Sequence, residues 1–178
     1  MAPWHWPYRA VYLVCFLVCG ALMAYALYAE YRLGLAPCPL CIFQRVAFIW
    51  MGVWFLVGGL HAPRGNVRWA YCVLVLLGAA WGIAVAVRHL YLQSLPPDQV
   101  PSCGPGLNYM LQTFPFAQTL KLVFEGSGEC AQVNWRFLGL SMPGWTLIWY
   151  VLLGVWALLP RPRRNKFGNA RALRTTRI

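Results

Sequence analysis

Residues 10–29 read AVYLVCFLVCGALMAYALYA, twenty positions without one acidic or basic side chain. A helix needs ~20 apolar residues at 1.5 Å rise to cross ~30 Å of hydrocarbon, so this stretch sets the fold class. Two further runs are uncharged, 69–87 with 19 residues and 137–160 with 24, the latter with Pro143-Gly144 as its helix start. Residues 46–60 give only 15, and extending back to Leu40 gives 21 with one charge, Arg45. That run spans only if Arg45 sits near an interface. The expected architecture is an all-α membrane protein, one domain over 1–178, built as a four-transmembrane-helix bundle. Its spans are about 10–29, 41–60, 69–87 and 140–159. Ala24-Tyr25-Ala26 resembles a signal-peptide cleavage site, but the first run exceeds the 7–15 residues of a signal core, so it is expected to stay as a span.

Composition agrees. Charged residues make up 11% and hydrophobic ones 60%, against about 25% charged in soluble domains. The net charge of +11 would suggest nucleic acid on a globular protein, but seven of the fifteen basic residues lie between 161 and 177. A basic tail beside apolar runs belongs instead against an anionic cytoplasmic leaflet. Four spans put both termini on one side. The N-terminal segment, the 61–68 loop and the tail hold ten basic residues, and the other side holds four: Arg32, Arg88, Lys121 and Arg136. The positive-inside rule then makes the termini cytoplasmic and turns loops 30–40 and 88–136 outward.

This orientation sorts the seven cysteines. Cys15, Cys19 and Cys72 fall inside spans, where free cysteine packs as a small hydrophobe. Cys38, Cys41, Cys103 and Cys130 fall on the outer side, and four cysteines facing an oxidising compartment imply two disulfides. Cys38-Pro39-Leu40-Cys41 could be half a zinc site, a staple or a redox pair. Zinc needs two more ligands, and no second Cys-x-x-Cys exists, although His89 could offer a nitrogen; no metal is expected. A staple over four residues restrains little chain. Redox chemistry is the best use of so small a ring. Cys41 lies where the second span begins, and a helix N-terminus favours thiolate. Arg45, one turn on, shares its face. Read blandly, it snorkels to the headgroups; above a thiolate inside the membrane, it has a functional role.

Cys103 and Cys130 lie in a 49-residue loop, too long for a simple connection. A bridge between them closes 28 residues, worth roughly 3.6 kcal/mol in the chain-entropy estimate. Prolines and glycines flank Cys103, so the bridge is expected to be exposed to an incoming thiolate. Phe116, Ala117, Leu120, Val123 and Phe124 form an apolar stripe after Pro115, expected as a short helix lying in the outer interface.

Two exposed disulfides in this order suggest an electron relay, and here the chain resembles the disulfide bond formation protein B family, DsbB, of bacterial inner membranes. The marks are residues 38–45 (CPLCIFQR), Gly128-Glu129-Cys130, and 135–145 (WRFLGLSMPGW). The resemblance implies an oxidoreductase that reoxidises a periplasmic thioredoxin-like, DsbA-like dithiol oxidase and passes electrons to quinone, ubiquinone or menaquinone. It implies that Cys103 takes the mixed disulfide with that partner, and that Cys38 and Cys130 exchange between loops. It also implies that Cys41 faces the quinone and that Arg45 supports both ring and thiolate. His89 matches a position tied to the quinone pocket, against the plainer reading of an interfacial ring at the headgroups. The three intramembrane cysteines depart from the usual pattern. Two alternatives stand beside it. A vitamin K epoxide reductase-like protein would place its membrane Cys-x-x-Cys after the loop cysteines, not before. A non-enzymatic adapter braced by disulfides makes little use of a four-residue ring.

Topology reporters fused after Gly106 and after Arg164 test the orientation. Export-dependent activity is expected only at the first site; such activity at the second overturns the arrangement.

Overall fold

The computed structural model describes residues 8–63, 66–96, 99, 115, 128–133 and 135–159. Within them the chain runs α1 (Tyr8–Leu33), α2 (Pro39–His61), α3 (Val67–Ser94), a one-turn α4 (Gly128–Ala131), strands β1 (Arg136–Phe137) and β2 (Leu140–Ser141), and α5 (Met142–Leu158). Three of these helices, α1, α2 and α3, are long and apolar enough to cross a membrane. Helix α5 has 17 residues and is apolar as well, though shorter. Cys103, the expected interfacial helix at 116–124 and the basic tail 161–178 lie outside the described residues.

Three expectations need correcting. The helices overrun the uncharged runs: 30–33 continue α1 and 88–94 continue α3, although both were expected as loop. A charge does not end a helix when its head can reach polar surroundings or a partner. The last helix starts at Met142 rather than 140, because 136–141 form an antiparallel hairpin in a fold expected to be all helical. Its register pairs Arg136 with Ser141 and Phe137 with Leu140. Leu138 and Gly139 turn it with φ of 50° and 82°, the two-residue loop geometry whose twist matches the flanking strands. The bond from Trp145 Nε1 to Phe137 O, 3.0 Å long, ties the hairpin to α5, and Ser141 Oγ donates to Gln93 Oε1 at 2.8 Å, tying it to the overhang of α3.

The main packing runs α1 on α2, α2 on α3 and α3 on α5. Glycines set these approaches. In lipid, small residues let helices close together where hydrophobicity cannot drive them. A Cβ on Gly58 would stand 2.9 Å from the Tyr12 ring, one on Gly78 2.5 Å from Trp50, and one on Gly82 2.5 Å from Tyr150. Cys15, Cys19 and Cys72 are buried in the same core with Tyr12, Met51, Phe55 and Tyr150. They face neighbouring helices, as small apolar side chains do, and Cys72 donates to Ala157 O.

Tyr150 has no room to retreat. Its ring stacks on Phe48 at 4.3 Å, and its hydroxyl donates to Gln44 O at 2.7 Å. Gly82→Ala is therefore expected to destabilise the protein by about 1–3 kcal/mol, the usual cost of overpacking. Gly20→Ala, with nothing within 4 Å of the added carbon, should be neutral or stabilise by up to ~1 kcal/mol, the helix-propensity gain. Thermal unfolding in detergent, followed by circular dichroism, checks the pair.

Candidate redox and cavity site

The site is built on the start of α2. Gly34, in the left-handed region at φ 68°, closes α1, and Leu35 N–H reaches back six residues to Ala29 O. Cys38 is the extended residue capping α2, and Pro39 occupies its first turn, where a missing N–H costs nothing. Ile42 N–H donates to Cys38 O. The two cysteines thus share one turn, with sulfurs 3.1 Å apart. A disulfide is ~2.05 Å, so the two sulfurs lie within a small rotation of the expected Cys38–Cys41 bridge. Cys38 has a second neighbour. Cys130, buried on α4, hydrogen-bonds it as well, and these two thiol contacts plus burial push the Cys38 thiol well above the ordinary range. One sulfur thus touches two others, the arrangement from which a thiol–disulfide exchange can run either way.

His89 closes the cluster. It was expected just beyond the third span, but it lies on α3 and is only 3% exposed. Its Nε2 is 3.8 Å from Cys38 Sγ, and its Nδ1 is 3.4 Å from the Gln44 amide nitrogen. Thr146 Oγ1 lies 3.0 Å from Gln44 Oε1 and 2.9 Å from Pro143 O. One hydroxyl proton cannot serve both acceptors. A half-turn of the Gln44 amide resolves this: its NH2 then donates to Thr146, Thr146 donates to Pro143, and the Gln44 oxygen accepts from Nδ1–H. The amide can therefore support either tautomer of His89, and in the turned form Nε2 offers a lone pair to the sulfurs. An imidazole held this way can accept a thiol proton.

Arg45 has a partner that sequence reasoning missed. Its guanidinium forms an ion pair with Glu30 at the overrunning end of α1, and its other nitrogen is 3.4 Å from Ala26 O. Only four acidic residues exist in the chain. One of them directly after the first apolar run, on the side where Arg45 must emerge, was the available signal. Arg45, Cys41, Gln44 and His89 form the polar edge of a cavity of about 430 Å³, whose apolar wall includes Leu22, Met23, Phe48, Trp145 and Trp149. Cys38, Cys41, Cys130, His89 and Arg45 are thus gathered at one end of the fold. Gln44 and Thr146 join them without having been singled out, because uncharged polar residues at helical spacing carry little signal alone.

This cysteine arrangement can be set beside known proteins. Residues 8–160 match the family model described as disulfide bond formation protein DsbB. The chain belongs to the DsbB family. The protein named disulfide bond formation protein B of Xanthomonas campestris pv. campestris is 47% identical over 159 residues, covering 89% of this chain and 92% of that one. Its namesakes in Hahella chejuensis and Acinetobacter baylyi are each 49% identical, covering 87% and 88% of this chain and 96% and 94% of theirs. The DsbB match runs through every helix described above.

Burial orders the reactivity of the pair, since Cys41 is half-buried beside the cavity and Cys38 is buried with its thiol kept protonated. In the reduced protein at pH 8, a small alkylating reagent is expected to label Cys41 before Cys38. Time-resolved peptide mapping reads the order, and Cys38 reacting first would contradict this geometry.

Proposed function

We propose that this disulfide-forming membrane oxidoreductase is a protein-dithiol:quinone oxidoreductase. It reoxidises a periplasmic DsbA-like dithiol oxidase through two cysteine pairs and delivers the electrons to the respiratory quinone pool. The observation that carries the reading is the Cys38 sulfur held against both Cys41 and Cys130. The enzyme sits in a bacterial inner membrane as a single domain of four spans, α5 included. Both termini are cytoplasmic, and the loop with Cys103 and Cys130 is periplasmic.

In the oxidised enzyme the bridges are Cys103–Cys130 and Cys38–Cys41. A partner thiolate attacks Cys103, forming a mixed disulfide and releasing Cys130 as thiolate. Cys130 then attacks Cys38, which breaks Cys38–Cys41 and leaves Cys41 as the thiolate beside the cavity. The partner's second thiolate displaces Cys103, completing the partner's disulfide. Cys103 next attacks the Cys38–Cys130 bond, restoring its own bridge with Cys130 and returning Cys38 as a thiol. Cys38 and Cys41 give up two electrons and two protons on closing again.

A bound quinone supplies the acceptor for both electrons and both protons. The residues present fit such a ring: an apolar wall with Trp145, Trp149 and Phe48, and Arg45, Gln44 and His89 at one edge for its carbonyl oxygens. Arg45 offers a planar fork of donors, which lysine does not reproduce. His89, steadied by Gln44, holds or passes the proton of Cys41. The Glu30 pair keeps the guanidinium beside the cavity instead of letting it snorkel away.

The deciding experiment uses Cys38→Ser and Cys103→Ser with the reduced soluble partner and a water-soluble quinone. Cys38→Ser is expected to capture the partner on Cys103 yet send nothing to quinone, while Cys103→Ser captures none. Normal turnover by Cys38→Ser overturns the relay. Arg45→Met, made with Glu30→Gln so that no carboxylate is stranded, should leave the capture intact. It should lower kcat/KM for quinone about ten- to a hundred-and-fifty-fold, the size of one lost hydrogen bond to a charged group.

A further inference from the structure

The cluster at the start of α2 has a second chemistry. Cys38 Sγ, Cys41 Sγ and a ring nitrogen of His89 lie with no two of them more than 4.8 Å apart. Zn–S bonds of ~2.3 Å and Zn–N bonds of ~2.0 Å in a tetrahedron put ligand atoms roughly 3.5–3.8 Å from one another. The sulfurs are 3.1 Å apart, and Nε2 is 3.8 Å from Cys38. Small side-chain rotations reach the tetrahedron, because Cys41 lies on the first turn of a helix and the other two meet it from a cap and from α3. Cys130 touches Cys38 and is buried in the same small cluster but lies outside this group of three, so it can become the fourth ligand only by a shift of α4. Gln44 provides the outer support that metal-binding histidines need. With its amide turned, it accepts from Nδ1–H and leaves Nε2 to bind.

We propose that the reduced enzyme binds one thiophilic d10 cation, Zn2+ or its like, through Cys38, Cys41 and His89, with Cys130 closing the site. Two thiols lose their protons to solvent on binding, so Zn2+ and two thiolates are neutral together, which suits a buried site with few charges. The Cys130 thiol replaces a water as the fourth ligand by releasing a third proton, which leaves the cluster with one negative charge and makes this last step the one most favoured by higher pH. Soft sulfur and imidazole ligands select this class of ion over magnesium or calcium. Closing the Cys38–Cys41 disulfide removes two of the ligands, so the site exists only after electrons have been accepted. Under the relay proposed above, the ion holds the enzyme in its reduced form and stops it between cycles.

Full-length protein in detergent, reduced with a non-chelating phosphine, is titrated with Zn2+ against a chromogenic chelator. The fully oxidised protein is titrated in parallel. One equivalent is expected to bind the reduced form at least a hundredfold more tightly than the oxidised form. The Cys15→Ser/Cys19→Ser/Cys72→Ser variant should keep that site, and in its background Cys41→Ser and His89→Ala should each weaken binding by tenfold or more. Zinc-edge X-ray absorption on the unsubstituted protein needs no variant and should show two or three sulfurs at ~2.3 Å with one nitrogen. The site is refuted if reduced and oxidised forms bind alike, if only oxygen and nitrogen surround the ion, or if the triple variant loses it. Quinone reduction by the metal-free enzyme is assayed separately, so a failed relay with an intact zinc site, or the reverse, is read directly.

Discussion

The hydrogen bond from the Tyr150 hydroxyl to the Gln44 carbonyl joins the last helix to the first turns of α2, and the cysteine end of the protein is arranged around it. Buried and 2.7 Å long, it fixes Gln44, whose side chain reaches His89 on α3 and Thr146 on α5. Three helices thus meet at one residue. The contact exists only because Gly82 yields its side-chain space to the tyrosine ring and Phe48 stacks on the other face of that ring. Packing in the middle of the fold and chemistry at its end are therefore one problem, and a methyl group on α3 would be felt by an imidazole two turns away.

Charge follows a similar economy. An arginine well inside a spanning helix costs ~2.5–3.5 kcal/mol at the bilayer centre and less toward the interface. Arg45 is relieved by Glu30, which exists as a partner because α1 continues for four residues past its apolar run. The length of a helix, usually a matter of membrane thickness, here decides where a cation can be kept.

Much of this was legible in the sequence. The uncharged runs located α1, α2 and α3, and Cys38-Pro39-Leu40-Cys41 with Arg45 marked the site, because charge and cysteine are rare in such a chain and carry meaning wherever they occur. The overruns were not legible, since Arg32 and Arg88 look like the ends of spans and are in fact helical residues, Arg32 exposed and Arg88 laid over the Tyr91 ring. Nor was the hairpin at 136–141: Phe137, Leu138 and Leu140 read as the start of an apolar span, yet they are exposed and turn on Leu138 and Gly139. His89 was found as a residue but not in its place, because burial against Cys38 depends on the extension of α3. Gln44 and Thr146 are ordinary polar residues until three helices bring them together.

The cavity at the cysteine end is bordered by Leu22 and Met23 of α1 and by Trp145 and Trp149 of α5. A molecule that arrives there from the lipid diffuses in two dimensions. Its occupancy is then governed by its mole fraction in the membrane, not by its molarity in the surrounding water. Diluting a suspension of such membranes would leave the cavity as full as before, while adding empty lipid would drain it.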